Sequence, residues 1–310
     1  MRDVRKVAVL GGGVIGMSWA SLFLARGFKV VVCDPRPEAE ADLKAFVEEA
    51  WPMMKALGLT KSDAVRQADF STDIGTLTDI DFVTECGPDR VDIKRQMVRQ
   101  LEAVIDPDVL ISSSTSSLMA SDIQEEAVHP ERIFVGHPMN PPHMVPMVEL
   151  VAGSKTSEQT MDDAQAFYET EMERVTIRVR KEVVGHLANR LTSALYREAV
   201  NIVAQGIGSV EDVDKAVTYG PGMRWALMGP HLIYHLGGGK GGYRHYLDHL
   251  GPTQEARWKE LGTPSLTDDL KNELVAGVDR ELQEQDAATL AERRDEALVA
   301  LHQLKQKFGF

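Results

Sequence analysis

The stretch "KVAVLGGGVIGMSWASLFLARGFKVVVCD", Lys6 to Asp34, decides the fold class of this chain. Lys6 to Leu10 reads as a short buried strand, and Gly11, Gly13 and Gly16 follow it as G-x-G-x-x-G at the start of a helical run that ends near Gly27. Gly11 permits a tight turn, Gly13 lets the backbone approach a pyrophosphate, and Gly16 lets the helix pack closely. The helix N-terminus offers free N–H groups to the anion. A second strand, Lys29 to Cys33, leads to Asp34, 18 residues past Gly16. A carboxylate there binds the adenosine ribose hydroxyls and repels the extra phosphate of NADP, so NAD is the expected cofactor. Arg36 is placed to reach that phosphate or to lie along the adenine.

Further strand-like runs follow at Asp81 to Thr84, Val109 to Ser112, Arg132 to Val135 and Met147 to Val151, with helical patterns between them. This alternation predicts an α/β chain, with an N-terminal Rossmann-type doubly wound sheet over residues 1–182. The strand signal ends beyond Lys181. Helical spacing at Val183 to Gly206, Val210 to Val217, Trp225 to Leu236 and Leu266 to Leu282 predicts an all-helical C-terminal domain over 183–310. "GGGKGG", Gly237 to Gly242, lacks the spacing of a phosphate loop and reads as a flexible connection.

A chain of 310 residues that is 43% hydrophobic can bury a large core. Its formal net charge of -13 argues against a nucleic-acid or anionic-membrane partner, since both call for a basic surface. Two cysteines, Cys33 and Cys86, are too few for a disulfide framework, and no signal segment or span of membrane length is evident. A cytoplasmic location is expected.

"GHPMNPPHMVPMVELV", Gly136 to Val151, poses the chemical question. Pro138, Pro141, Pro142 and Pro146 exclude a helix and predict a stiff, extended loop between two strands. Such a turn-back would bring His137 and Glu149 together. A carboxylate beside an imidazole fixes its tautomer and stabilises its protonated form, as a general base requires; the alternative is a structural histidine with an exposed glutamate.

With these residues the chain resembles the 3-hydroxyacyl-CoA dehydrogenase family over essentially its whole length. "STSSL" carries Ser116, "GHPMNP" carries His137 and Asn140, "VEL" carries Glu149, and "HLANRL" carries Asn189. The resemblance implies that His137 is the acid/base, that Glu149 orients it, and that Ser116 and Asn189 bind the reacting oxygen. It also implies that Asp89 and Lys94, in "ECGPDRVDIK", lie near the cofactor, and that the helical domain mediates a homodimer. Leu290, Leu298, Leu301, Leu304 and Phe308 suggest an amphipathic final helix that could form such a surface or pack within its own domain. Oxidation of a secondary alcohol suits this set. It needs a hydride acceptor, a base for the proton, and donors for the oxygen while charge develops.

Two departures argue against an acyl-CoA substrate. The segment Pro37 to Leu57 carries Glu38, Glu40, Asp42, Glu48 and Glu49 against only Lys44 and Lys55, a poor match for phosphates. The segment Gly220 to Pro252 resembles the carnitine-oxidising branch of the family and, less closely, the branch of L-gulonate 3-dehydrogenase and the structural lambda-crystallins. A quaternary ammonium hydroxy acid is recognised through aromatic faces, and Trp225, Tyr234, Tyr243 and Tyr246 lie in that segment; Trp225 is the first candidate, although aromatics at helical spacing more often fill a core. Two histidine pairs, His231 with His235 and His245 with His249, lack a third ligand, so no metal is expected.

Overall fold

Lys6–Leu10 and Lys29–Cys33 form β1 and β2, parallel and in register from Lys6 opposite Lys29 to Leu10 opposite Cys33. Both are nearly continuous apolar runs, which is what a parallel strand covered on two faces requires. The computed structural model describes residues 3–283 and 285–310. The chain divides into two compact units, one up to Arg190 and one from Leu191.

The first unit is built on one sheet. It is completed by β3 (Asp69–Ser71), β4 (Phe82–Glu85), β5 (Leu110–Ser113), β6 (Ile133–Pro138), β7 (Met147–Ala152) and β8 (Val175–Val179), in the order β3-β2-β1-β4-β5-β6-β7-β8. The six strands β1 to β6 are parallel and follow the doubly wound order, whose reversal between β1 and β4 opens a crevice at the strand ends. β7 then turns back antiparallel to β6, and β8 runs parallel to β7.

Helices α1 (Val14–Ala25), α2 (Ala39–Ala56), α3 (Val91–Glu102), α4 (Ala120–Ile123) and α5 (Glu158–Ala166) accompany the sheet. Ala8, Leu10, Val31, Val83 and Ile111 share a buried cluster with Val98 and Leu101 of α3. Trp19 and Phe23 of α1 are fully buried, and Phe23 stacks 6.3 Å from Phe167, itself 4.4 Å from Phe82. Truncating a side chain such as Phe82 to alanine would cost about 3–5 kcal/mol, because both the transfer term and the cavity term are lost.

The second unit contains most of α6 (Ala188–Ala204), then α7 (Val210–Tyr219), α8 (Pro221–Trp225), α9 (Pro230–Gly237), α10 (Gly242–Glu260), α11 (Asp268–Leu282) and α12 (Ala287–Phe308). Ser209 caps α7 through a reciprocal bond with Asp212, and Thr267 and Asp286 cap α11 and α12. Val200, Val203 and Leu270 form its small buried cluster. Among the described residues no helix is long and apolar enough to cross a membrane.

Several expectations need correction. β3 and β8 are additional strands: β3 is three residues long, and β8 is an alternating edge strand with Val175 and Ile177 exposed. The proline segment is not extended throughout, since the amide of Val145 bonds back to the carbonyl of Pro141 and closes a turn. α6 begins at Ala188, not at residue 183, because Gly185 and His186 take left-handed backbone, with φ of 78° and 48°, which a right-handed helix cannot include. The run 225–236 is divided between α8 and α9, where Gly229 and Pro230 start a new helix. The glycine-rich connection is an ordered 3₁₀ turn, Gly239–Gly241, leading into the unanticipated α10.

Candidate active site

The G-x-G-x-x-G turn is built for an anion beside it. A Cβ on Gly11 would stand 2.7 Å from the carbonyl oxygen of Cys86, and one on Gly16 would stand 1.8 Å from that of Gly11, so these two glycines permit backbone contact. Next to Gly13 the space is open to 4 Å, where a pyrophosphate can approach the start of α1. The adjoining cleft, about 1010 Å³, runs past Gly11, Asp34, Arg36 and Ile74 to Met97. These features fit a dinucleotide.

Asp34 is buried at the end of β2, where Oδ2 accepts from the amide of Gly12 at 2.7 Å. Arg36 donates from its amide and Nε to Oδ1 at 2.9 and 3.0 Å, and from Nη2 to Oδ2 at 3.2 Å. Burial alone would raise the carboxyl pKa. The bonds from Arg36 and Gly12 outweigh it and hold the group below its ordinary range. Arg36 thus occupies lone pairs on Asp34 that a ribose diol would need, and its side chain is half-exposed.

His137 and Glu149 face each other directly across the antiparallel pair β6–β7. Nδ1 of His137 lies 2.7 Å from Oε2 of Glu149, whose other oxygen accepts from the amides of Leu187 and Ala188 at 2.7 and 2.9 Å. Both side chains are buried. Burial pushes the Glu149 pKa up, but the bond from His137 and the two amides more than reverse that, so the group is an anion. The left-handed Gly185–His186 pair is what turns these amides onto the carboxylate.

A second polar group surrounds Lys94. Its Nζ bonds both carboxylate oxygens of Glu85 at 2.8 Å and the carbonyl of Gly87 at 3.1 Å, and both side chains are 1% exposed. The amide of Gly87 and the hydroxyl of Ser113 also donate to Glu85. A buried pair so fully bonded is tolerated, whereas removal of one partner would cost about 3–5 kcal/mol. Asp89 lies 3.8 Å from Nζ and accepts from the hydroxyls of Thr115 at 2.5 Å and Ser116 at 3.4 Å. Lys94 thus lies in the first turn of α3 with its side chain buried, whereas Asp89 is partly exposed.

One cavity of about 370 Å³ brings together Asp89, Lys94, Ser116, His137, Asn140 and Asn189. Its lining shares Cys86 and Gly87 with the dinucleotide cleft. Ser116, Asn140 and Asn189 line the same cavity as an imidazole whose Nδ1 is committed to Glu149, which leaves Nε2 as the ring nitrogen not bonded to that carboxylate. The sequence reading missed Glu85, Thr115 and His186. Glu85 could have been found, because an acid ending the apolar run Phe82–Glu85 calls for a buried base.

Trp225 belongs to the second unit, at the end of α8, and is 41% exposed. In that unit Tyr234 and Tyr246 stack at 4.5 Å with planes 11° apart, and Tyr243 lies 6.2 Å from Tyr246 at 14°. Tyr246 thus offers its ring to other tyrosines. His231 bonds the hydroxyl of Tyr243, His235 accepts from its amide, and the rings of His245 and His249 stack at 5.7 Å. No cluster of metal-binding side chains occurs among the described residues.

Residues 6–183 match the NAD-binding domain of 3-hydroxyacyl-CoA dehydrogenase, and residues 185–271 match its C-terminal domain. The chain is 41% identical to an L-carnitine dehydrogenase of Streptomyces coelicolor, covering 99% of this chain and 96% of that one. It is 38% identical to an L-carnitine dehydrogenase of Bacillus cereus, covering 99% and 94%. Among solved structures, it resembles 5-formyl-3-hydroxy-2-methylpyridine 4-carboxylic acid 5-dehydrogenase, an NAD+-dependent dismutase, with a TM-score of 0.84 and 26% identity over 98% of this chain and 99% of that one.

Proposed function

This chain belongs to the 3-hydroxyacyl-CoA dehydrogenase family and is an NAD-dependent dehydrogenase, and on that premise we propose that it oxidises the 3-hydroxyl of L-carnitine to 3-dehydrocarnitine. The reading is carried by the full-length likeness to L-carnitine dehydrogenases, together with the cavity around His137. Bound NAD supplies the hydride acceptor. His137 takes the hydroxyl proton at Nε2 as the carbon–hydrogen bond breaks, and the buried anion of Glu149 stabilises the imidazolium through Nδ1. Ser116 and Asn189 donate to the oxygen as its charge develops, and Asn140 lines the same space.

In this reading residues 1–182 hold NAD, while 183–310 supply substrate and dimer contacts in a cytoplasmic enzyme. Trp225 receives the trimethylammonium group on its ring face. The acidic helix α2, with Glu40 and Asp42 in its first turn, disfavours a CoA phosphate chain. The final helix supports a homodimer through exposed Leu290, Leu304 and Phe308, which a light-scattering mass tests directly. The decisive assay compares kcat/KM with NAD for L-carnitine, L-gulonate and 3-hydroxybutyryl-CoA. Carnitine is expected to lead, and a better rate with either competitor would displace the assignment.

A further inference from the structure

The proposed mechanism gives the buried imidazole of His186 no task. His186 is 1% exposed and holds a left-handed backbone, φ 48°, in the turn before α6. Histidine, asparagine and aspartate are the non-glycine residues that most often adopt this conformation. Its ring centre lies 5.2 Å from that of His137. Its Nε2 stands 3.3 Å from the carbonyl oxygen of Thr115, which can only accept, so the ring carries its hydrogen on Nε2. Nδ1 then holds a lone pair, buried and without a hydrogen-bond partner among the described residues. A second proton would have nowhere to bond. Burial, with His137 alongside, keeps the pKa below its ordinary value, and the ring acts as a neutral donor.

Thr115 immediately precedes Ser116. Its hydroxyl donates to Asp89 and accepts from the amide of Leu118 at 3.0 Å, while its carbonyl takes the bond from His186. The loop is therefore held from the β4–α3 connection by Asp89 and from the turn before α6 by His186. The next two amides of that same turn hold Glu149.

We infer that His186 is a positioning residue: by holding the Thr115 carbonyl it sets the Ser116 hydroxyl in the cavity and couples that loop to the turn that anchors Glu149. The inference rests on the reading of Ser116 as a donor to the reacting oxygen. It assigns a function to a side chain outside the cavity lining, acting through the backbone of its neighbour.

The test is a double-mutant cycle in the full chain, measuring kcat with NAD and L-carnitine, or L-gulonate should that be the substrate. His186→Phe keeps a ring and loses the donor. It is expected to lower kcat about tenfold in the parent, but less than about twofold in a Ser116→Ala background, because residues acting as a unit are not additive. His186→Gln, whose amide nitrogen can take the place of Nε2, should recover most of the loss. If His186→Phe fails to fold, His186→Asn replaces it in the cycle, since asparagine accepts left-handed backbone but is too short to reach the carbonyl. Equal losses in both backgrounds, no loss at all, or no rescue by glutamine would overturn the inference while leaving the Ser116 reading intact. An unchanged rate in Ser116→Ala alone would remove that reading and the inference with it.

Discussion

Nδ1 of His137 and Oε2 of Glu149 lie 2.7 Å apart between residues that are direct partners on β6 and β7. In Glu149→Gln, the amide oxygen would keep the bonds from Leu187 and Ala188, leaving the NH2 group to face the imidazole. That reversal forces hydrogen onto Nε2, the nitrogen that the proposed mechanism needs free to accept the substrate proton. Turnover should fall about a hundredfold or more and the pH–rate profile should change. An unchanged profile would make Glu149 a structural residue.

His137→Ala should lower turnover by about two to four orders of magnitude, the usual contribution of a positioned acid/base. NAD affinity, measured by fluorescence titration, should stay within about twofold, because Gly13 and Asp34 lie outside the cavity that His137 lines. A comparable loss of NAD binding would mean that the substitution disturbs the cleft as well.

If Asp34 accepts from the ribose, Asp34→Ala removes that acceptor and releases Arg36 together. The loss of hydrogen bonds to a charged group should raise the NAD Kd about tenfold or more. The freed guanidinium can then pair with a 2′-phosphate, so the preference in kcat/KM for NAD over NADP should shrink. If the ratio of the two efficiencies is unaltered, Asp34 does not set the choice.

Glu149 and His186 are among the groups through which acid should destabilise the first unit. Glu149 has a folded pKa below its ordinary 4.5, so its stabilisation is present above that value and lost as the pH falls through the folded one. His186 is depressed below 6.5: the unfolded ring gains a proton as the pH drops past that value while the buried ring stays neutral, so stability declines from there downward. Urea midpoints should therefore decrease from about pH 7 to about pH 3, and His186→Phe should flatten the upper part of the curve. A midpoint that rises on acidification would contradict both signs.

Trp225→Ala should weaken carnitine more than its uncharged tert-butyl analogue. A cation–aromatic contact contributes about 0.5–2 kcal/mol, according to how far the site is desolvated. Equal losses in kcat/KM for the two compounds would show that the indole contributes packing alone.

The dinucleotide half was legible because its constraints are local. Gly11, Gly13, Gly16 and Asp34 lie within one βαβ unit, and the spacing itself carries the physics. His137 and Glu149 were legible for a similar reason, being joined through a short turn-back. The Lys94–Glu85 pair, the Thr115 carbonyl contact and the turn at Gly185–His186 were not, since each depends on side chains or backbone brought together by the sheet. β3 and β8 escaped because edge strands with exposed positions lack the continuous apolar run that marked β1 and β2.

The register of β6 and β7 separates what can vary in this protein from what cannot. A slip of one residue would turn Glu149 to the opposite face of the sheet, so the pairing tolerates no drift. The segment 139–146 that joins the two strands is held only in part: Met144 is buried, His143 is buried and bonded to Ser18, and the Pro142 carbonyl accepts from Arg174, whereas Met139 and Asn140 are not buried. Asn140 and Met139 line the cavity from that segment. Substitutions at these two positions can therefore vary what the cavity offers a substrate, by selection or by design, without disturbing the His137–Glu149 pair.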